Sequence, residues 1–145
     1  MKMCIDADGC PVVKLAVPIA REYQIPCTLF CDTAHEIEYE GASTVTVSKG
    51  ADSADFALVN AISAGDLVIT QDYGLAAMCL ARGALVLHQD GYEYTEENIE
   101  ALLLSRHTAQ KIRRAGGRMP TMKKRAQSQN DIFCAILRRI IEHNI

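Results

Sequence analysis

Five aspartates carry the chemistry this chain is equipped for. Asp6 and Asp8 stand one residue apart, after the apolar run Met3 to Ile5, with Gly9 and Pro11 behind them. Asp72 follows a second apolar run, Leu67-Val68-Ile69-Thr70. Asp52 and Asp55 are three apart at the start of an amphipathic segment, and residues i and i+3 share one helix face. A carboxylate at the end of an apolar strand is costly to bury unpaired. Convergent carboxylates without His or Cys suit a hard cation with oxygen ligands, Mg²⁺ or Mn²⁺. One or two such ions lower the pKa of a bound water and brace the phosphorus of a phosphodiester during in-line attack. Without a cation the acids repel, and some stay protonated. Ser53, Thr70 and Gln71 are placed to orient ligands or water, and Lys49 to hold a phosphate oxygen. Each acid also has a structural use: Asp52 or Ser53 as an N-cap, Asp55 as a first-turn residue, Asp8 as a stabiliser of the turn at Gly9.

The elements that must position these acids read as alternating strands and helices. Met3 to Asp6 is a strand, and Pro11 suits a first helical position. Val12, Leu15, Ala16, Ile19 and Ala20 continue at helical spacing, with Pro18 a predicted kink. Thr28 to Cys31 and the β-branched Thr44 to Val47 are strands. The stretch 49–55 turns into a helix through Phe56, Val59 and Ile62, with Gly65 as its cap. Leu67 to Thr70 reads as a strand buried on both faces. Helices are predicted over Leu75 to Arg82, from a Thr95 cap to about Gly116, and over Asp131 to Ile141, with a further strand at Ala84 to Leu87 and a turn at Asp90 to Tyr94. Such alternation implies one domain, 1–145, of α/β class, with a parallel sheet flanked by helices. In such a sheet the carboxyl ends of strands share one edge, where Asp6, Asp8, Asp52, Asp55 and Asp72 would converge.

Charge is unevenly spread. Residues 1–104 hold 5 Lys/Arg against 16 Asp/Glu, a net of −11, and residues 105–145 hold 10 against 2, a net of +8. The segment 105–130 is basic and predicted to be partly a mobile loop. Its Arg106, Lys111, Arg113, Arg114, Arg118, Lys123, Lys124 and Arg125 are candidate phosphate or nucleic-acid contacts. The alternative is a solvated basic face folded on an acidic body. No aromatic residue lies in the segment, so contact there would be backbone-directed and sequence-tolerant.

Six cysteines set mostly in apolar runs, and a chain opening directly into a strand, lead to an expectation of reduced thiols and a cytoplasmic protein. No apolar run is long enough for a membrane span.

Four stretches together resemble the YaiI/YqxD family of small bacterial proteins, grouped by fold with PIN-like domains. They are Ile5-Asp6-Ala7-Asp8-Gly9-Cys10-Pro11, Gly50-Ala51-Asp52-Ser53-Ala54-Asp55, Gly65-Asp66-Leu67-Val68-Ile69-Thr70-Gln71-Asp72 and Gly91-Tyr92-Glu93-Tyr94-Thr95. The resemblance implies a PIN-like three-layer α/β/α sandwich and a nuclease site in which Mg²⁺ or Mn²⁺ is held for cutting RNA or DNA. Asp6 and Asp72 match the strand-end acids of such sites, and Asp52 and Asp55 most nearly match the helix acids. Asp8 is characteristic of this family. Ser128-Gln129-Asn130-Asp131 resembles the family's tail motif, with Asn130 where a basic residue is common. Fold does not imply activity.

The leading expectation is a divalent-metal-dependent nuclease acting on RNA or single-stranded nucleic acid, with Asp6, Asp52, Asp55 and Asp72 catalytic and Asp8 an added ligand. One alternative is a haloacid-dehalogenase-like phosphatase, with Asp6 as nucleophile and Asp8 as acid/base. Against it, Cys10 stands where Thr or Val is usual. The other alternative is a non-catalytic RNA- or protein-binding module.

Overall fold

The computed structural model describes residues 1–32, 37–48, 53–114 and 124–145, with Ser53 and residues 106–114 described by their backbone alone. The elements run β1 (Met3–Asp6), α1 (Val13–Glu22), β2 (Cys27–Asp32), β3 (Ser43–Val47), α2 (Ser53–Ala61), β4 (Leu67–Ile69), α3 (Tyr73–Ala81), β5 (Leu85–Leu87), β6 (Glu93–Tyr94), α4 (Glu96–Arg114) and α5 (Gln127–Asn144).

The strands form one sheet in the order β3-β2-β1-β4-β5-β6. All neighbours pair in parallel except β5 and β6, which are antiparallel. From β1 the chain steps one way to β2, and from β4 it steps the other way to β5. Right-handed crossovers therefore place α1 and α3 on opposite faces. The two cores follow. Met3, Ile5, Leu29, Leu67 and Ile69 face α1 and α5, whereas Cys4, Phe30, Val68 and Val86 face α2, α3 and α4. Alternate residues of β1 thus feed different cores, as the period of a strand requires. The result is the expected three-layer α/β/α arrangement with a mostly parallel sheet.

Helix α1 runs through Pro18, because Pro18 lies on the exposed face, where water can reach the carbonyl its missing N–H leaves unbonded. Helix α4 starts from the Thr95 cap. Asn98 N donates to Thr95 Oγ1 at 3.2 Å and Thr95 N donates to Asn98 Oδ1 at 2.9 Å.

Most boundaries shift by a residue or more from the sequence reading, and three differences have a clear cause. Helix α3 begins at Tyr73 rather than Leu75, because Asp72 is its cap. Helix α5 begins at Gln127 rather than Asp131; its start lacks a Ser, Thr, Asp or Asn cap, and Gln129 Oε1 instead accepts from Ala126 N at 2.7 Å. The Asp90–Tyr94 turn contains β6, two residues long and too short to show a strand pattern. Much of the basic 105–130 segment is helix: residues 105–114 belong to α4 and 127–130 to α5, while 115–123 lies outside the described residues. No helix among the described residues is long and apolar enough to cross a membrane. All six cysteines are free thiols.

Candidate functional site

The sheet order reverses direction between β1 and β4, and in open α/β sheets the crevice outside the carboxyl ends at such a switch point is where ligands bind. Here that crevice is a cleft of about 280 Å³ lined by Asp6, Asp8, Asp32, Ala54, Asp55, Gln71 and Asp72. Strand β1 delivers Asp6 as its last residue, the turn after it delivers Asp8, and the first turn of α2 delivers Asp55. The loop after β4 delivers Gln71 and Asp72.

Thr70 ties these pieces together. Its buried hydroxyl donates to Asp6 Oδ2 at 2.8 Å and accepts from Asp72 N at 3.0 Å. Asp72 is also the N-cap of α3, its Oδ1 accepting from Gly74 N at 2.9 Å and Leu75 N at 3.3 Å. That bond fixes the direction of the carboxylate and quiets two helix-end donors. Asp8 Oδ2 accepts from Asp32 N at 3.1 Å, so Asp8 braces the end of β2.

Burial is the main force raising the Asp6 pKa, from 3.8 to about 6. The negative fields of Asp55, Asp72 and Asp8 push the same way, against the Thr70 bond. Asp66, at the opposite end of β4, is the contrast. Burial works to raise its pKa as well, but Lys2 Nζ at 2.8 Å, Lys2 N at 3.0 Å and Ser63 N at 2.8 Å outweigh it, and the net shift is downward. The same residue type is thus charge-balanced at the amino edge of the sheet and charge-crowded at the carboxyl edge.

The structure gathers Asp6, Asp8, Asp55, Gln71 and Asp72 at one place, with Thr70 directly behind. Asp32 is an addition the sequence reading missed; its signal was the parallel β2 beside β1, whose last residue must reach the same edge. Lys49, Asp52, Arg118 and Lys123, and the side chains of Ser53, Arg113 and Arg114, lie outside the described residues. Lys124 is exposed. Arg125, expected to contact phosphate, is engaged inside the protein. Its Nη1 donates to Asp90 Oδ1 at 2.7 Å, its Nη2 to Gln89 O at 2.6 Å and its Nε to Asn130 Oδ1 at 2.6 Å. That fork locks the β5–β6 turn to the start of α5.

Among the described residues no three His, Cys, Asp or Glu side chains gather at the spacing a metal ion needs. The fit to Mg²⁺ or Mn²⁺ is therefore one of donor chemistry and charge. All the acids offer oxygen, and Mg²⁺ keeps several waters while taking only one or two carboxylates.

The family model described as "Uncharacterized BCR, YaiI/YqxD family" matches residues 4–143. The UPF0178 protein of Exiguobacterium sibiricum is 50% identical over 133 residues, covering 92% of this chain and 91% of that protein. The UPF0178 protein of Natranaerobius thermophilus is 44% identical over 141 residues, covering 97% and 96%. A UPF0178 protein of Bacillus cereus is 38% identical over 146 residues, covering 99% and 100%. No solved structure matches the chain.

Proposed function

The chain belongs to the YaiI/YqxD family, and from the cleft itself we propose that it is a divalent-metal-dependent nuclease hydrolysing phosphodiesters, with RNA rather than DNA the expected substrate. The observation that carries the reading is the convergence of Asp6, Asp8, Asp55 and Asp72 in one cleft at the switch point of the sheet. One or two of Asp6, Asp52, Asp55 and Asp72 would ligate Mg²⁺ or Mn²⁺ directly, with bound water between the ion and the remaining acids. The bound cation would acidify a water and stabilise the charge developing on phosphorus. Thr70 aims Asp6 into the cleft through its hydroxyl. Asp72 is held by the α3 amides, and Asp8 by Asp32 N. Burial and the neighbouring acids push the Asp6 pKa up to about 6, and a cation beside it would bring it back down. Lys49, Arg113, Arg114, Arg118, Lys123 and Lys124 are proposed to supply positive charge to the strand backbone.

The test incubates purified protein with labelled single-stranded RNA and Mn²⁺, beside Asp6→Asn and Asp72→Asn. Cleavage by the parent chain and loss in both variants is expected. Cleavage that survives both substitutions, or no cleavage of RNA or DNA by the parent, overturns the reading. Phosphate release from small phosphate esters, abolished by Asp6→Asn, would assign the cleft to a phosphatase instead.

A further inference from the structure

Beside the acidic cleft lies a cluster of four rings that the nuclease reading does not use. Tyr92 stacks on His88, with ring centroids 4.3 Å apart and planes 10° apart. Tyr94 meets Tyr92 edge-on at 5.5 Å, His88 edge-on at 5.9 Å and Tyr73 edge-on at 6.1 Å. All the ring–ring contacts among the described residues belong to this cluster. It is joined to the cleft at two points: Tyr73 follows Asp72 directly, and Tyr94 Oη donates to Thr70 O at 3.3 Å, on the residue whose hydroxyl holds Asp6.

The cluster is buried at its base and open at its top. Tyr94 is 1% exposed and His88 8%, whereas Tyr92 is 37% exposed. Gly91, at φ +92°, turns the chain so that Tyr92 folds back over His88, whose N donates to Tyr92 O at 2.9 Å. His88 Nδ1 accepts from Asp90 N at 3.0 Å, which sets the neutral tautomer, and burial lowers the His88 pKa in the same sense. Tyr92 is therefore an amphipathic ring backed by an uncharged stack, with more than a third of its surface in water, in a cluster joined through Tyr73 and Tyr94 to a cleft suited to phosphate chemistry. Every nucleobase has a π-face, and a preorganised aromatic stacks on it at low ordering cost.

We propose that Tyr92, backed by His88 and Tyr94, is a stacking ledge for an unpaired base of a single-stranded nucleic acid whose backbone enters the acidic cleft. This rests on the nuclease reading for the direction of the strand and deepens it by naming the surface that takes an unpaired base. A duplex keeps its bases stacked on one another and offers the ledge nothing. Stacking on one ring does not discriminate between bases, so the ledge selects strandedness and not sequence.

The test measures binding of a fluorescein-labelled single-stranded RNA, the DNA of the same sequence and the matching RNA duplex, in Mg²⁺ and in EDTA, with strand integrity followed on gels. Tyr92→Ala should weaken single-strand binding about 5- to 150-fold and leave duplex binding unchanged. Tyr92→Phe keeps the π-face and should bind like the parent, while Tyr92→Leu keeps apolar bulk and should fall with Tyr92→Ala. Parent protein that binds no single strand in either condition, Tyr92→Leu that binds like the parent, or equal losses on single strand and duplex overturns the ledge. Cleavage is scored separately with Mn²⁺. Tyr92-dependent binding without cleavage removes the nuclease reading and leaves the ledge standing.

Discussion

Replacing Asp6 with Asn should stabilise the protein at neutral pH when no divalent cation is present. Folding raises the Asp6 pKa from 3.8 to about 6, and each pKa unit corresponds to about 1.4 kcal/mol. Ionising Asp6 therefore costs the folded state about 3 kcal/mol more than it costs the unfolded chain. Between the two pKa values the folded state binds more protons, so stability falls as pH rises through that window. The penalty is absent below about pH 4, grows through the interval and is complete above about pH 7. Asn is isosteric and uncharged and escapes it. At about pH 7.5 the variant should gain roughly 2–3 kcal/mol, a rise in Tm of roughly 4–12 °C for a chain of this size. Urea and thermal unfolding followed by far-UV circular dichroism in EDTA, at several pH values from about 4 to about 7.5, reads both the gain and its pH dependence. Added Mg²⁺ should then raise the Tm of the parent and not that of the variant. A variant no more stable than its parent at neutral pH, or a difference that does not shrink as pH falls toward 4, would refute the account of Asp6 as a crowded, buried carboxylate.

Thr70→Val keeps the shape and removes the hydroxyl that donates to Asp6 and accepts from Asp72 N. The Asp6 pKa should climb further, read by NMR titration of its carboxyl carbon, with about 1–3 kcal/mol lost from stability at neutral pH. Gly91→Ala puts a Cβ 2.7 Å from Ile132 Cγ2 and 3.0 Å from Phe133 N, at a φ of +92°. A loss of about 2–4 kcal/mol in urea unfolding is expected, and a loss under 1 kcal/mol would show that the turn relaxes freely. Arg125→Lys retains the charge but cannot reproduce the three-way fork to Asp90, Gln89 and Asn130. It should lose about 2–3 kcal/mol, and an unchanged unfolding midpoint would contradict the lock drawn between the β5–β6 turn and α5.

What the sequence could reveal tracks how local each cause is. Strands β1 to β5 announce themselves as apolar or β-branched runs between turn residues, and their alternation with helices implies a parallel sheet. That sheet in turn places Asp6 and Asp72 at one edge. The structure adds the strand order, which puts β1 beside β4 and so sets those two acids next to each other. Asp32 escaped notice because its role is set by its register against β1 and not by its neighbours in sequence. Asp72 read as a bare strand-end acid because its capping bonds reach amides of a helix whose first turn, Tyr73-Gly74, carries little apolar signal. Arg125 reads as a phosphate or nucleic-acid contact because two of its three partners are 35 residues away at Asp90 and 36 at Gln89. The Tyr92–His88 stack depends on the turn at Gly91, which a residue-type pattern does not display.

The strand that carries Asp6 is made first and ends up in the middle. Strand β1 pairs with β2 from Met3 to Cys27 onward and with β4 from Met3 to Leu67 onward. As the chain is synthesised, β1, α1 and β2 can associate early as a local unit, whereas the other side of β1 waits for β4. Pairings so distant in sequence are closed late and slowly. Asp6 therefore meets Asp72 only when the second half of the sheet docks. The share of the electrostatic cost that Asp72 imposes on Asp6 falls on that docking step. Neutralising Asp6 should then quicken the late step or slow its reversal, while leaving the association of β1 with β2 as it was.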